Sequence, residues 1–181
     1  MERLNDVRRL ESQVSEADLA LLLSLRGDED VLDLGSGTGF YTDRIAPLTK
    51  GTVYALELLP EMNEHYRERG LPANVRLLQG DMTALYSAAL APASVDLVVT
   101  IATWHEIGGR LDVAGVARVL RPAGRLVVID WGKDPDSWES GPPEEVRYSA
   151  DEVAETLAPH FKVTGVQKVG SSMFALTARR K

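Results

Sequence analysis

Asp33, Gly35, Ser36, Gly37 and Gly39 lie in the run Val31-Leu-Asp-Leu-Gly-Ser-Gly-Thr-Gly39, where an apolar strand pattern meets alternate glycines and then residues suited to open a helix. Glycine reaches positive φ and has no Cβ, so the backbone can turn sharply at a strand end and leave a ligand room to lie against it. Glycine-rich turns also serve as plain strand-to-helix connections, so this loop alone does not define a nucleotide-type pocket. Glu57 strengthens it. It closes the second β-rich run roughly 20 residues past the loop, where a carboxylate can accept hydrogen bonds from both ribose hydroxyls of an adenosine. The competing role for Glu57 is an exposed acid at a strand end. Asp81, in Gln79-Gly-Asp-Met82, closes the third run and can accept from an adenine amino group while Met82 packs on the ring. It also suits a helix N-cap, and one carboxylate can serve both purposes.

These residues need a scaffold that brings strand ends together. Short β-rich runs recur at Val31 to Leu34, Thr52 to Leu56, Val75 to Leu78, Val95 to Ile101 and Arg125 to Ile129, with helix-like stretches between them. The spacing predicts helices over 15–26, 38–48, 60–69 and 110–120, and a short one after Met82. Ser15 fits the first helix's N-cap, and a turn is expected at Pro122-Ala-Gly124. Strand alternating with helix implies a parallel sheet covered on both faces. Ser149 to Leu157 then reads as a last helix, and Phe161 to Val169 and Met173 to Ala178 as a hairpin joined at Gly170-Ser171. Gly132 to Pro143 is the one linker-like segment.

Bulk properties exclude several function classes. The chain has 181 residues, enough for one core of ordinary size, and is 44% hydrophobic and 26% charged, as soluble globular proteins are. No apolar run approaches the roughly 20 residues of a membrane span, and the charged start Met1 to Arg9 lacks a signal peptide's apolar block, so the expected compartment is the cytoplasm. Cysteine is absent, which removes disulfides, thiolate metal sites and thiol catalysis, and no metal site is expected. A net charge of −7 disfavours electrostatic capture of nucleic acid, and the closing Arg179-Arg-Lys181 is too short to reverse this. No motif speaks to oligomeric state.

Taken in order, Val31 to Gly39, Glu57, Gly80-Asp-Met82, Val95-Asp-Leu-Val-Val-Thr100 and Leu120-Arg-Pro-Ala-Gly-Arg-Leu-Val-Val128 resemble the class I S-adenosylmethionine-dependent methyltransferases over nearly the whole chain. Alternate glycines preceded by Asp33, in place of the dinucleotide spacing G-x-G-x-x-G, favour this cofactor over NAD. The resemblance implies a Rossmann-like, doubly wound α/β fold. Its sheet is seven-stranded and mostly parallel, in the order 3-2-1-4-5-7-6 with strand 7 antiparallel and helices on both faces. It implies one domain over 1–181, with 1–28 a helical segment over the cofactor site and 29–131 the cofactor-binding core. Residues 132–148 become a lid-like linker and 149–181 the terminal helix and hairpin. The stretch Trp131 to Tyr148 and the opening Asn5 to Leu10 further resemble small-molecule members of the ubiquinone/menaquinone and arsenite types. The thiol chemistry of the latter does not carry over to a chain without cysteine.

By the same resemblance, Asp33 would organise the loop and the methionine amino group, and the Gly35 to Gly39 backbone would follow the methionine and ribose. Glu57 and Leu58 would hold the ribose, and Asp81 with Met82 the adenine. The peptide groups of Thr100, Ile101 and Ala102 would border the sulfonium. Methyl transfer is an in-line displacement from a reactive donor, so the enzyme chiefly aligns the reactants and excludes water. His105, after the fourth strand, could deprotonate a hydroxyl or amine near neutral pH; the alternative is a histidine that packs or hydrogen-bonds structurally. His65 and His160 read as structural. Trp104, Trp131 and Trp138 could line an acceptor pocket or simply cover core, with Gly132 to Pro143 and Asn5 to Arg9 closing over the methyl donor. The expected activity is methylation of a small-molecule acceptor. The rival readings are an NAD-type oxidoreductase and a non-catalytic S-adenosylmethionine-binding regulator or partner subunit.

Overall fold

The computed structural model describes residues 13–133 and 141–181. Trp138 and the opening stretch Asn5 to Leu10 lie outside the described residues. Strand β1 (Val31–Leu34) is buried at every position, as expected of the centre of a parallel sheet. It pairs in parallel with β2 (Val53–Glu57) on one side and β4 (Val95–Ile101) on the other. Beyond β2 lies β3 (Val75–Gln79), and beyond β4 lies β5 (Leu120–Trp131), both parallel. The chain then adds β6 (Phe161–Val169) and β7 (Met173–Arg180). β7 runs antiparallel between β5 and β6 and completes a seven-stranded sheet in the order β3-β2-β1-β4-β5-β7-β6. The resemblance-based order and the antiparallel strand are both found.

Side chains alternate across this sheet and feed a hydrophobic layer on each face. Leu32, Val98, Val128 and Leu176 face α4 (Val113–Val119) and α5 (Ala150–Leu157), whose Val116, Val153 and Leu157 are fully buried. Val31, Val99, Val127 and Ile129 face the opposite layer. There α1 (Glu16–Leu23) contributes Leu19 and Leu23, α2 (Thr42–Ile45) contributes Ile45, and α3 (Pro60–Arg69) contributes Tyr66. Helix starts follow from side chains that satisfy the first free amides. Ser15 accepts from Asp18 N, Asp112 accepts from Gly115 N, and Ser149 with Glu152 forms a reciprocal capping box.

Several expected boundaries shift, each for a local reason. The helix expected over 38–48 is α-helical only at Thr42–Ile45, because Gly39 holds φ +86° in the preceding turn, and it tightens to a 3₁₀ turn at Ala46–Leu48 around Pro47. α1 stops at Leu23, where Ser24 turns left-handed at φ 43°. After Met82 there is a 3₁₀ turn, Leu85–Ser87, and no α-helix. The helix expected from Arg110 begins at Val113, once Gly108 and Gly109 have both passed through positive φ. Pro122-Ala-Gly124 lies inside β5. The register jumps there from Val95↔Leu120 to Leu97↔Arg125, so the turn residues form an excursion within the strand. Among the described residues no helix is long and apolar enough to cross a membrane.

Candidate active site

A cavity of about 430 Å³ opens at the carboxyl ends of β1 to β4, within the size range of small-molecule sites. Its floor is the glycine loop, docked on β2 by Gly35 N and Ser36 N, which both donate to Leu56 O at 2.9 and 3.1 Å. Glu57 is 8% exposed, which sets aside the exposed-acid reading. Its carboxylate accepts from Gly37 N at 2.8 Å and from Leu59 N at 2.9 Å, so it ties the glycine loop to the turn after β2. A carboxylate has about four acceptor directions, so two backbone bonds leave capacity for ligand hydroxyls. Asp81 also lines the cavity. Its Oδ1 accepts from Thr83 N and Thr83 Oγ1, both at 2.7 Å, while Oδ2 has no partner among the described residues. Turn stabiliser and ligand acceptor are therefore compatible in one side chain.

Asp33 sits beneath the loop, 3% exposed, and Thr42 Oγ1 donates to its Oδ2 at 2.6 Å. Burial pushes its carboxyl up to about 6; the Thr42 bond opposes the rise and the charge of Glu57 adds to it. The glycines differ in purpose. A Cβ on Gly39 would come within 2.1 Å of the Tyr66 ring, so this glycine lets α3 close on the loop and does not line the cavity. A Cβ on Gly35 would meet Thr103 Cγ2 at 2.5 Å, which brings the turn after β4 onto the loop. Gly37, at φ +56°, has no atom within 4 Å of such a Cβ and faces open cavity.

The chain after β4 needs a closer reading. Ile101 and Ala102 line the cavity, whereas Thr100 is fully buried behind it, its Oγ1 without a partner among the described residues. Ala102 takes a left-handed φ of 53°, and residues 103–109 then curl into a helical turn, with Glu106 N and Ile107 N donating to Thr103 O. Positions three and four apart share a face, so Thr103, Glu106 and Ile107 form cavity wall. Trp104 and His105 point elsewhere, and this corrects the acceptor-pocket expectation. Trp104 is fully buried in the α4/α5 layer. His105 gives its Nδ1 to Asp130 Oδ1 at 2.7 Å. Trp131 is 4% exposed in the opposite layer, with Gly141 packed against its ring and the Arg147 guanidinium 5.5 Å from it. Among the described residues no cluster of His, Asp and Glu is arranged to hold a metal ion.

A methyltransferase-domain family model matches residues 31–124, just over half of the chain. The chain belongs to this family. A methyltransferase of uncharacterized role from Mycobacterium tuberculosis is 39% identical over 100 residues, covering 55% of this chain and 38% of that protein. A protein-L-isoaspartate O-methyltransferase from Pyrococcus horikoshii is 31% identical over 111 residues, covering 59% of this chain and 46% of its own length. The chain thus spans less than half of these curated relatives. It matches the crystal structure of a SAM-dependent methyltransferase from Aquifex aeolicus far more fully. The TM-score is 0.85 at 30% identity, over 98% of this chain and 95% of that one. The cofactor of this methyltransferase family is S-adenosylmethionine, and the likeness favours that reading over a nicotinamide oxidoreductase.

The cavity suits such a ligand on its own evidence. S-adenosylmethionine carries positive charge at the amino group and at sulfur, and the cavity presents Asp33, Glu57 and Asp81 with no Lys or Arg among its described lining residues. Among the described residues the buried Ser36 Oγ has no partner and the face of Gly37 is open, so the loop retains both a polar atom and space for a ligand. Several wall residues went unread in the sequence: Phe40, Tyr41, Met62, Thr103, Glu106 and Ile107. Helical spacing at 103, 106 and 107 would have singled out the last three. Asp130, 1% exposed, was also missed. Its signal is an acid directly after the apolar run Leu126-Val-Val-Ile129, near the carboxyl end of β5.

Proposed function

We propose that this chain binds S-adenosylmethionine in the strand-end cavity and transfers its methyl group to a small-molecule acceptor by in-line displacement. The observation that carries the reading is the convergence of Asp33, Glu57 and Asp81 from three neighbouring strands on one cavity. Asp33 would face the methionine ammonium, Glu57 the ribose hydroxyls, and Asp81 Oδ2 the adenine amino group, with Leu58 and Met82 against the nucleoside. The backbone from Gly35 to Thr38 would follow the methionine chain, and Ile101 and Ala102 would border the sulfur. When bound, S-adenosylmethionine supplies an electrophilic methyl on a sulfonium. The protein's part is then to align an acceptor against Thr103, Glu106 and Ile107 and to exclude water.

A small acceptor is supported by the cavity's size and by apolar wall residues such as Phe40, Tyr41 and Met62. The net charge of −7 weighs against nucleic acid. One catalytic domain acting in the cytoplasm completes the reading. The test incubates the protein with methyl-labelled cofactor and a fractionated cell extract. Label in a low-molecular-weight product is expected. Label confined to protein or nucleic acid overturns the small-molecule acceptor, and cofactor binding without transfer to any fraction supports the regulator reading instead.

A further inference from the structure

The buried carboxylate of Asp130 gathers three donors at the end of β5. Oδ2 accepts from Trp104 N at 2.8 Å, and Oδ1 accepts from Trp131 N at 2.7 Å and meets His105 Nδ1 at 2.7 Å. Trp104 and His105 belong to the turn whose opposite face supplies Thr103, Glu106 and Ile107 to the cavity. The turn starts from the left-handed Ala102, held by one backbone bond from its N to Ile129 O at 2.8 Å. Attachment to Asp130, together with the burial of Trp104, therefore fixes the turn's orientation over the cavity.

We infer that His105 and Asp130 form a positioning pair, in which Asp130 holds the turn after β4 through His105 Nδ1–H and so sets the acceptor-side wall. This rests on the methyltransferase reading of the cavity. The chemistry of the contact determines which nitrogen carries the proton. An ionised carboxylate only accepts, so in neutral His105 the single hydrogen must sit on Nδ1, and in the imidazolium it is still there. The bond to Asp130 thus persists in both protonation states, and positioning does not depend on titration. Proton abstraction would depend on it, because Nε2 has a lone pair only above the imidazole pKa. Burial lowers that pKa, but the Asp130 bond and charge together with Glu106 outweigh burial and the opposing Arg147, and the net shift is upward.

The two roles separate in variants. His105→Asn keeps an N–H donor near the Nδ1 position and removes both Nε2 and the titration, whereas His105→Ala removes everything. With one of the turn's two bonds to Asp130 removed and the Trp104 N bond kept, His105→Ala is expected to speed amide exchange at Glu106, Ile107, Gly108 and Gly109 roughly tenfold, in keeping with loss of one charge-assisted hydrogen bond. It should also weaken S-adenosylhomocysteine binding several-fold in calorimetry. His105→Asn is expected to restore both to near wild type and to leave the pH profile of label transfer unchanged. Nitrogen NMR of the wild-type imidazole needs no variant and should show Nδ1 protonated on both sides of the titration. A neutral form protonated at Nε2, or His105→Ala exchange equal to wild type, overturns the pair. So does a His105→Asn variant with normal exchange and affinity but no label transfer, since His105 would then be taking a proton. Absence of S-adenosylhomocysteine binding or of label transfer in the wild type contradicts the methyltransferase reading instead, and the exchange and NMR results still judge the pair.

Discussion

Asp33 shows how a single residue can be costly to the fold and necessary to the site. Its carboxyl is raised from the ordinary 3.8 to about 6, so the folded chain binds its proton more tightly than the unfolded chain does. The contribution of such a group to stability is full below the unfolded pKa and is lost as pH rises through 6. A shift of this size corresponds to about 3 kcal/mol. Asp33→Asn is therefore expected to be more stable than wild type in urea denaturation at pH 8, with the gain shrinking as pH falls towards 4. The same variant should lose most of its affinity for S-adenosylmethionine, because no charge remains to face the ammonium group. Affinity of the wild type should rise with pH across the window around 6, where Asp33 ionises. An Asp33→Asn chain that is no more stable at pH 8 would contradict the assignment of a buried, strained carboxylate.

At the scale of elements, the glycine loop assigns different tasks to neighbouring residues of one type. Gly39→Ala places a methyl inside the Tyr66 ring and should unfold the α3 contact, lowering denaturation stability by several kcal/mol. Gly37→Ala meets no protein atom, so it should cost only the roughly 1–2 kcal/mol of a left-handed alanine while weakening cofactor binding, which calorimetry would separate from stability. The sequence already held the strands, their order by resemblance and the loop, because strand periodicity and glycine spacing are local signals. It did not hold the direction of Trp104 and Trp131. Aromatic residues near strand ends look alike in sequence whether they face a ligand or a layer of core; the turn that starts at Ala102 directs Trp104, and alternation along β5 puts Trp131 in one layer with Val127 and Ile129. Gly39 was likewise read as ligand-facing, since the contact that requires it comes from Tyr66, far along the chain. The α5 cap was legible from Ser149 and Glu152, and Ser149→Ala is expected to cost about 1 kcal/mol in thermal or urea unfolding.

For the molecule as a whole, the sheet brings ends of strands distant in sequence onto one side, and the cavity exists only when β1, β2, β3 and β4 are paired. Ligand binding should therefore stabilise the entire fold. At a free concentration about 100 times Kd, S-adenosylhomocysteine should add about 2.7 kcal/mol, visible as a rise in melting temperature of roughly 5–10 °C. The most direct single measurement is calorimetric titration of the wild-type chain and of Glu57→Ala with S-adenosylmethionine, S-adenosylhomocysteine and NAD. The account predicts one site for each adenosyl ligand and none for NAD. It also predicts a loss of tenfold or more in Glu57→Ala, where ribose hydroxyls lose a charged acceptor worth about 1.5–3 kcal/mol. Tight NAD binding with no response to either adenosyl ligand, or unchanged affinity in a folded Glu57→Ala chain, would contradict it.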